Sequence, residues 1–145
     1  MDRLCVARDV YNEIARTIGS MRAEQGGALG WREDERVIRY FLFNAAVVRD
    51  WNPRGIRPAG FVRSRPPGLV RPSSRDLADS KQILAAIPEL PYLVLLIAQT
   101  MPDTGGFSLV PYIVRRSGDE VVSGPAALEV LDGVIKVPLC RRARQ

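Results

Sequence analysis

Arg63, Ser64 and Arg65 sit in the short segment Gly60-Phe61-Val62-Arg63-Ser64-Arg65-Pro66, and seven residues further on Ser73 opens a Ser-x-x-Asp pair with Asp76. Guanidinium groups offer donors in a rigid fork, carry a fixed charge, and pair with carboxylates through two parallel hydrogen bonds. They have no lone pair for a metal. A second carboxylate, Glu24, precedes a Gly26-Gly27 pair far upstream. Each of these residues also has an ordinary explanation. Ser73 and Asp76 read as a helix-capping pair favoured by the helix dipole, and Glu24 as a solvent-facing carboxylate at a strand end. Of the 21 basic residues only Lys81 and Lys136 are lysines, so Arg63 and Arg65 could be two more surface arginines.

The joint spacing carries more than its parts. Glu24, then two basic residues flanking Ser64, a gap of seven, Ser73, a gap of two and Asp76 together resemble the JAMM motif of the JAB/MPN (Mov34/MPN/PAD-1) metallopeptidases, in the compact bacterial form. In that motif two histidines stand where this chain has Arg63 and Arg65. Neighbouring residues fit as well: Glu24 to Gly30 resembles the family's first core strand, and Arg71 to Asp76 its Pro-Ser-x-x-Asp helix start. The likeness covers roughly residues 5–115.

Two imidazoles and a carboxylate hold zinc at about 2.0–2.2 Å and leave a fourth position for water. Zinc brings that water's pKa to about 7, a carboxylate takes its proton, and a hydroxyl steadies the oxyanion. Carried over by position, the resemblance implies Glu24 as general base, Ser73 as oxyanion donor and Asp76 as metal ligand. Arginine cannot replace the missing imidazoles, and the chain contains no histidine. No cofactor is therefore expected, although the family uses zinc. Without a metal, Asp76 and Glu24 would be left as neighbouring, partly buried carboxylates, which is costly. The expectation is that Arg63 and Arg65 supply the missing charge in a cluster with Asp76 and Glu24.

The elements that must position these residues follow from periodicity. Val6, Val10, Ile14 and Ile18 recur every four residues and predict a helix over residues 4–22. Residues 26–31 and 37–43 read as a hairpin around the charged run at 32–36, and 44–59 as an irregular connection. A short strand at 60–64 is stopped by Pro66-Pro67-Gly68. A helix at 75–86 follows with Ser73 or Ser74 as N-cap. The continuous apolar run 92–98 predicts a central buried strand. Residues 107–115 return as the next strand, with Pro111 marking an edge or bulge. The expected fold is α/β, of the MPN (JAB, cytidine-deaminase-like) type: a central mixed sheet flanked by the N-terminal helix and by the helix after the JAMM-like loop. Beyond Ser117 the runs 120–122, 128–131 and 134–137 suggest a small terminal hairpin, and 118–145 has no counterpart in the resemblance.

At 145 residues and 46% hydrophobic content, one domain spanning 1–145 with a real core is expected. No apolar run approaches the ~18 residues of a membrane span, and the N-terminus lacks a signal-peptide core. Cys5 and Cys140 then read as reduced thiols of a cytoplasmic protein. The net charge of +5 invites nucleic acid, but the positives are scattered and lack interleaved aromatics, so a basic nucleic-acid-binding domain is the minor alternative.

Family members cleave after the C-terminal glycine of ubiquitin-like proteins or process sulfur carriers, and metal-free relatives act as partners of active paralogues, typically by dimerising. The resemblance implies a pseudoenzyme that binds a ubiquitin-like or sulfur-carrier protein, or another JAB/MPN subunit, with a homodimer as one form. The alternative is an active zinc-dependent JAMM peptidase.

Overall fold

The computed structural model describes residues 2–21, 25–32, 37–45, 55–66, 68–101 and 106–132. Its strands are β1 (Asp2–Ala7), β2 (Gly26–Arg32), β3 (Val37–Phe43), β4 (Ile56–Arg65), β5 (Leu93–Met101), β6 (Gly106–Ser117) and β7 (Glu120–Leu131). Helix α1 (Arg8–Thr17) runs on into a 3-10 turn at Ile18–Ser20, and α2 (Ser74–Ala86) lies between β4 and β5.

The apolar run at 92–98 becomes β5, whose two faces are both covered. Val94, Leu96 and Ala98 join one core with Val10 and Ile14 of α1 and Ile18 of the 3-10 turn, while Leu93, Leu95 and Ile97 join a second core with Phe61, Leu84 and Ile87. Period-two alternation sends successive side chains to opposite faces. A strand buried on both faces therefore has no polar position to spare until Gln99. Each fully buried Leu or Ile contributes about 1.5–3 kcal/mol, so β5 and its flanking helices anchor the molecule.

Strand order corrects the expected layout. The sheet closes on itself as β1-β3-β2-β4-β5-β6-β7, a mostly β architecture with two α-helices among the described residues, and not a central α/β sheet with flanking helices. Two segments account for the difference. Residues 4–7, which periodicity assigns to the N-terminal helix, belong instead to β1, which runs parallel to both β3 and β7. Leu4, Cys5 and Val6 satisfy the helical spacing, but they are also a short continuous apolar run, and pairing on two sides favours the strand. Residues 120–131, expected as fragments of a terminal hairpin, form one twelve-residue strand. Its first half pairs with β6 and its second half with β1. The described part of the supposed extension, β7, is thus the staple that closes the barrel.

Local chemistry supports that closure. Gly118 turns the β6–β7 hairpin at φ +62°, a conformation that favours glycine. Arg3 pairs with Glu129 at 3.4 Å and Arg8 with Asp132 at 2.7 Å across the β1–β7 seam. Pro111 sits opposite Leu96 in an unbroken β5–β6 ladder, just before β7 pairing begins at Tyr112; on its β7 side it occupies an edge position, where a missing N–H costs nothing. Cys5 is buried and disulfide-bonded, which corrects the expected reduced thiol; Cys140 lies outside the described residues.

β4 is longer than expected and delivers the residues singled out above. Its register against β2 shifts between Leu29 and Gly30, where Pro58 is accommodated. At Gly60 any Cβ would collide with the Val94 backbone of β5, so only glycine permits this close parallel pairing.

Candidate functional site

Arg63 and Arg65 leave β4 on the face that carries Phe61, toward α2, while Ser64 points the other way. The Ser64 hydroxyl accepts from the Gln25 N–H at 2.7 Å, and the Ser64 N–H donates to the Gln25 carbonyl at 2.9 Å. This exchange ties the end of β4 to the residue before β2. It fixes the direction of the two arginines without involving them.

Helix α2 brings the carboxylates. Ser73 is its N-cap, and a complete capping box forms: the Ser73 hydroxyl accepts from the Asp76 N–H at 3.1 Å, and the Asp76 carboxylate accepts from the Ser73 N–H at 2.8 Å. Asp76 is fully buried. One terminal nitrogen of Arg65 donates to both Asp76 oxygens at 2.6 Å and to the Ser73 hydroxyl at 3.2 Å, while the other reaches the Ser64 carbonyl at 3.2 Å. Arg63 reaches the same carboxylate at 2.9 Å, binds Asp79 with its second nitrogen, and stacks its guanidinium 4.8 Å above the Phe61 ring. Burial pushes the Asp76 carboxyl up, but the Ser73 amide, the Arg65 guanidinium and the Ser73 hydroxyl more than offset it, holding the group below the ordinary carboxylate value.

The structure therefore brings Arg63, Arg65, Ser73 and Asp76 into one hydrogen-bonded unit. Glu24 lies outside the described residues. Asp79 was missed from sequence, although its position three residues after Asp76 places both carboxylates on one side of a helix. Phe61 was missed as well; its place two residues before Arg63 on a strand puts the two side chains on the same face.

Zinc does not fit the donors present. The family's site would need two imidazoles where Arg63 and Arg65 stand, and Asp76 already spends both oxygens on guanidinium and backbone donors. Among the described residues no group of three His, Cys, Asp or Glu side chains could hold a metal ion.

Two clefts meet at Arg63. One, of about 470 Å³, runs between α2 and the β2–β4 pair, with Gly26, Phe61, Asp79, Gln82 and Ile83 in its walls. The other, of about 600 Å³, is walled by Arg63, Arg65, Arg75, Ser73, Gln25 and Leu69. β4 is paired on both sides, with β2 and β5, so a bound chain cannot add to it as a further strand.

The same architecture occurs in solved structures. A JAB1/MPN domain protein from Archaeoglobus fulgidus superposes with a TM-score of 0.54 and 20% identity, over 89% of this chain and 98% of that one. A protein from Desulfitobacterium hafniense, known from its solution structure, matches at TM-score 0.50 and 17% identity, over 88% and 94%. No family model matches the sequence, and no curated protein matches it. The fold is thus that of the JAB1/MPN domain. Among the described residues no helix is long and apolar enough to cross a membrane.

Proposed function

We propose that this chain is a metal-free MPN-fold binding protein, a pseudoenzyme that holds the tail of a ubiquitin-like or sulfur-carrier protein, or another MPN-fold subunit, without hydrolysing it. One observation carries the reading: the Arg65 guanidinium grips both oxygens of the buried Asp76, the carboxylate that in the resembling family would ligate zinc. A fixed cation there supplies the charge of a metal but no Lewis acid and no activated water. The capping box that orients Asp76 and the clefts on either side of Arg63 support a retained binding surface.

The test is a ubiquitin-like protein extended beyond its C-terminal glycine, incubated with the chain with and without added zinc. The extended protein is expected to stay intact in both conditions while co-migrating with the chain in gel filtration. Chelator-sensitive loss of the extension would instead identify an active peptidase.

A further inference from the structure

The chain holds two cysteines, Cys5 and Cys140. Cys5 is disulfide-bonded, and within one chain Cys140 is the other sulfur such a bond can use. The topology makes that bond easy to close. Asp132, which follows β7, is held by Arg8 at 2.7 Å, and Leu131 stands opposite Ala7 in the β1–β7 register. Cys5 lies two residues back from Ala7 on the same strand, about 7 Å away. Residues 133–140 can span up to about 26 Å, so the tether from Asp132 to Cys140 is long enough to reach Cys5. A thiol on so short a tether meets its partner at an effective concentration of about millimolar, which favours a ring over a bond between two chains.

Cys5 also sits where the described strands are joined most sparsely. β1 meets β3 through Cys5–Val37 and Val6–Ile38 alone, whereas it follows β7 from Asp2–Ala126 to Ala7–Leu131. Residues two apart on a strand share a face. On the face of Cys5, Arg3 and its partner Glu129 are 49% and 46% exposed at their side chains, while Cys5, Ala7 and Val37 are buried. The Cys5 sulfur is thus shielded from a thiolate in solution, and thiol exchange needs access.

We infer that a Cys5–Cys140 disulfide is a redox-sensitive latch on the barrel seam. Oxidised, it ties the chain beyond β7 back to β1 and holds β1 between β3 and β7; reduced, it releases that tie. Closing nearly the whole chain into one ring removes conformational freedom from the unfolded state, and the effect grows with the residues enclosed. Opening the latch takes a dithiol reductant. Two electrons and two protons pass to the S–S bond, which breaks into two thiols, while the dithiol closes to its own cyclic disulfide. The latch acts on the frame and does not depend on what the clefts beside Arg63 bind.

The experiment takes the full chain purified without reductant, blocks free thiols with N-ethylmaleimide, and maps the peptides of the monomer by mass spectrometry. A linked Cys5–Cys140 peptide is expected. Blocked Cys5 and Cys140, or a chain recovered only as a disulfide-linked dimer, overturns the inference. Hydrogen exchange and melting are then compared for the oxidised chain, the chain reduced with dithiothreitol, and Cys140→Ser, which leaves the buried Cys5 in place. Reduction and the substitution should each lower the melting temperature by about 8–15 °C. Each should speed exchange at least about tenfold in β1 and in residues 126–131 of β7, while β5 keeps its protection. Should Cys140→Ser not fold, the reduced parent chain supplies the same comparison. Exchange in β1 that is unchanged on reduction overturns the latch even where the linked peptide is found.

Discussion

At the residue scale, burial decides what Arg63 and Arg65 are worth. Arg65 is 9% exposed at its side chain and Asp76 not at all, whereas Arg63 is 26% exposed and shares its charge with Asp79. Removing one partner of a buried pair leaves an uncompensated charge and costs about 3–5 kcal/mol, while an exposed pair contributes about 0–1 kcal/mol. Arg65→Ala should therefore lower stability by about 3 kcal/mol and Arg63→Ala by about 1 kcal/mol; urea denaturation of both variants measures the ranking, and equal losses would contradict it. The cluster also predicts a pH dependence. The folded-state pKa of Asp76 lies below its unfolded value, so the unfolded chain binds the proton more readily. The stability it contributes is present above about pH 4 and is lost as pH falls through the lower folded-state value. In Asp76→Asn the melting temperature should fall less between pH 5 and pH 3 than in the parent chain, an interval set by that ordinary carboxylate value of about 4. The pairing of Arg65 with Asp76 was legible in the sequence because both positions belong to a spaced motif and the chain offers no histidine. Asp79 and Phe61 were hidden because they belong to no motif and matter only once α2 lies over β4.

At the element scale, α2 is held at both ends, by a local capping box at its start and by a residue remote in sequence at its end. Its N-terminus carries the Ser73–Asp76 capping box, readable directly from Ser-x-x-Asp. Its C-terminus has no basic residue in the last turn; Arg116 of β6 instead donates to the carbonyls of Leu84 at 2.6 Å, Ile87 at 3.1 Å and Leu90. A cation at these orphan carbonyls satisfies acceptors and opposes the helix dipole. Arg116→Ala should cost about 1–3 kcal/mol and speed hydrogen exchange selectively at the end of α2; uniform exchange across the chain would contradict this role. Lys81 adds a tie from α2 to Glu120 of β7 at 3.1 Å. No local pattern marks Arg116 as a cap, since it reads as one of a pair of basic residues on a strand. The boundary between β1 and α1 failed for a related reason: Val6, Val10 and Ile14 keep helical spacing across it, and the pairing of β1 with β3 and β7 is not a local property.

At the scale of the whole molecule, closure of the barrel depends on the segment that sequence reasoning left without a role. β7 joins β6 to β1, and β1 meets β3 through Cys5–Val37 and Val6–Ile38. Apolar periodicity identified the central strand β5 because both of its faces are buried. It missed β7, whose residues are mostly exposed or half-buried and whose value lies in its backbone ladder. Ser73 and Asp76 are held in place by the capping box at the start of α2. Restoring imidazoles by Arg63→His with Arg65→His should therefore create zinc affinity, while Arg63→His alone should not, because Arg65 would still hold both oxygens of Asp76. The decisive measurement is the metal content of the unmodified protein, by inductively coupled plasma mass spectrometry after purification in zinc-containing buffer and desalting. A metal-free site gives zinc far below one equivalent and a melting temperature unchanged by chelator; one equivalent of zinc per chain, with a chelator-sensitive melting temperature, rules it out.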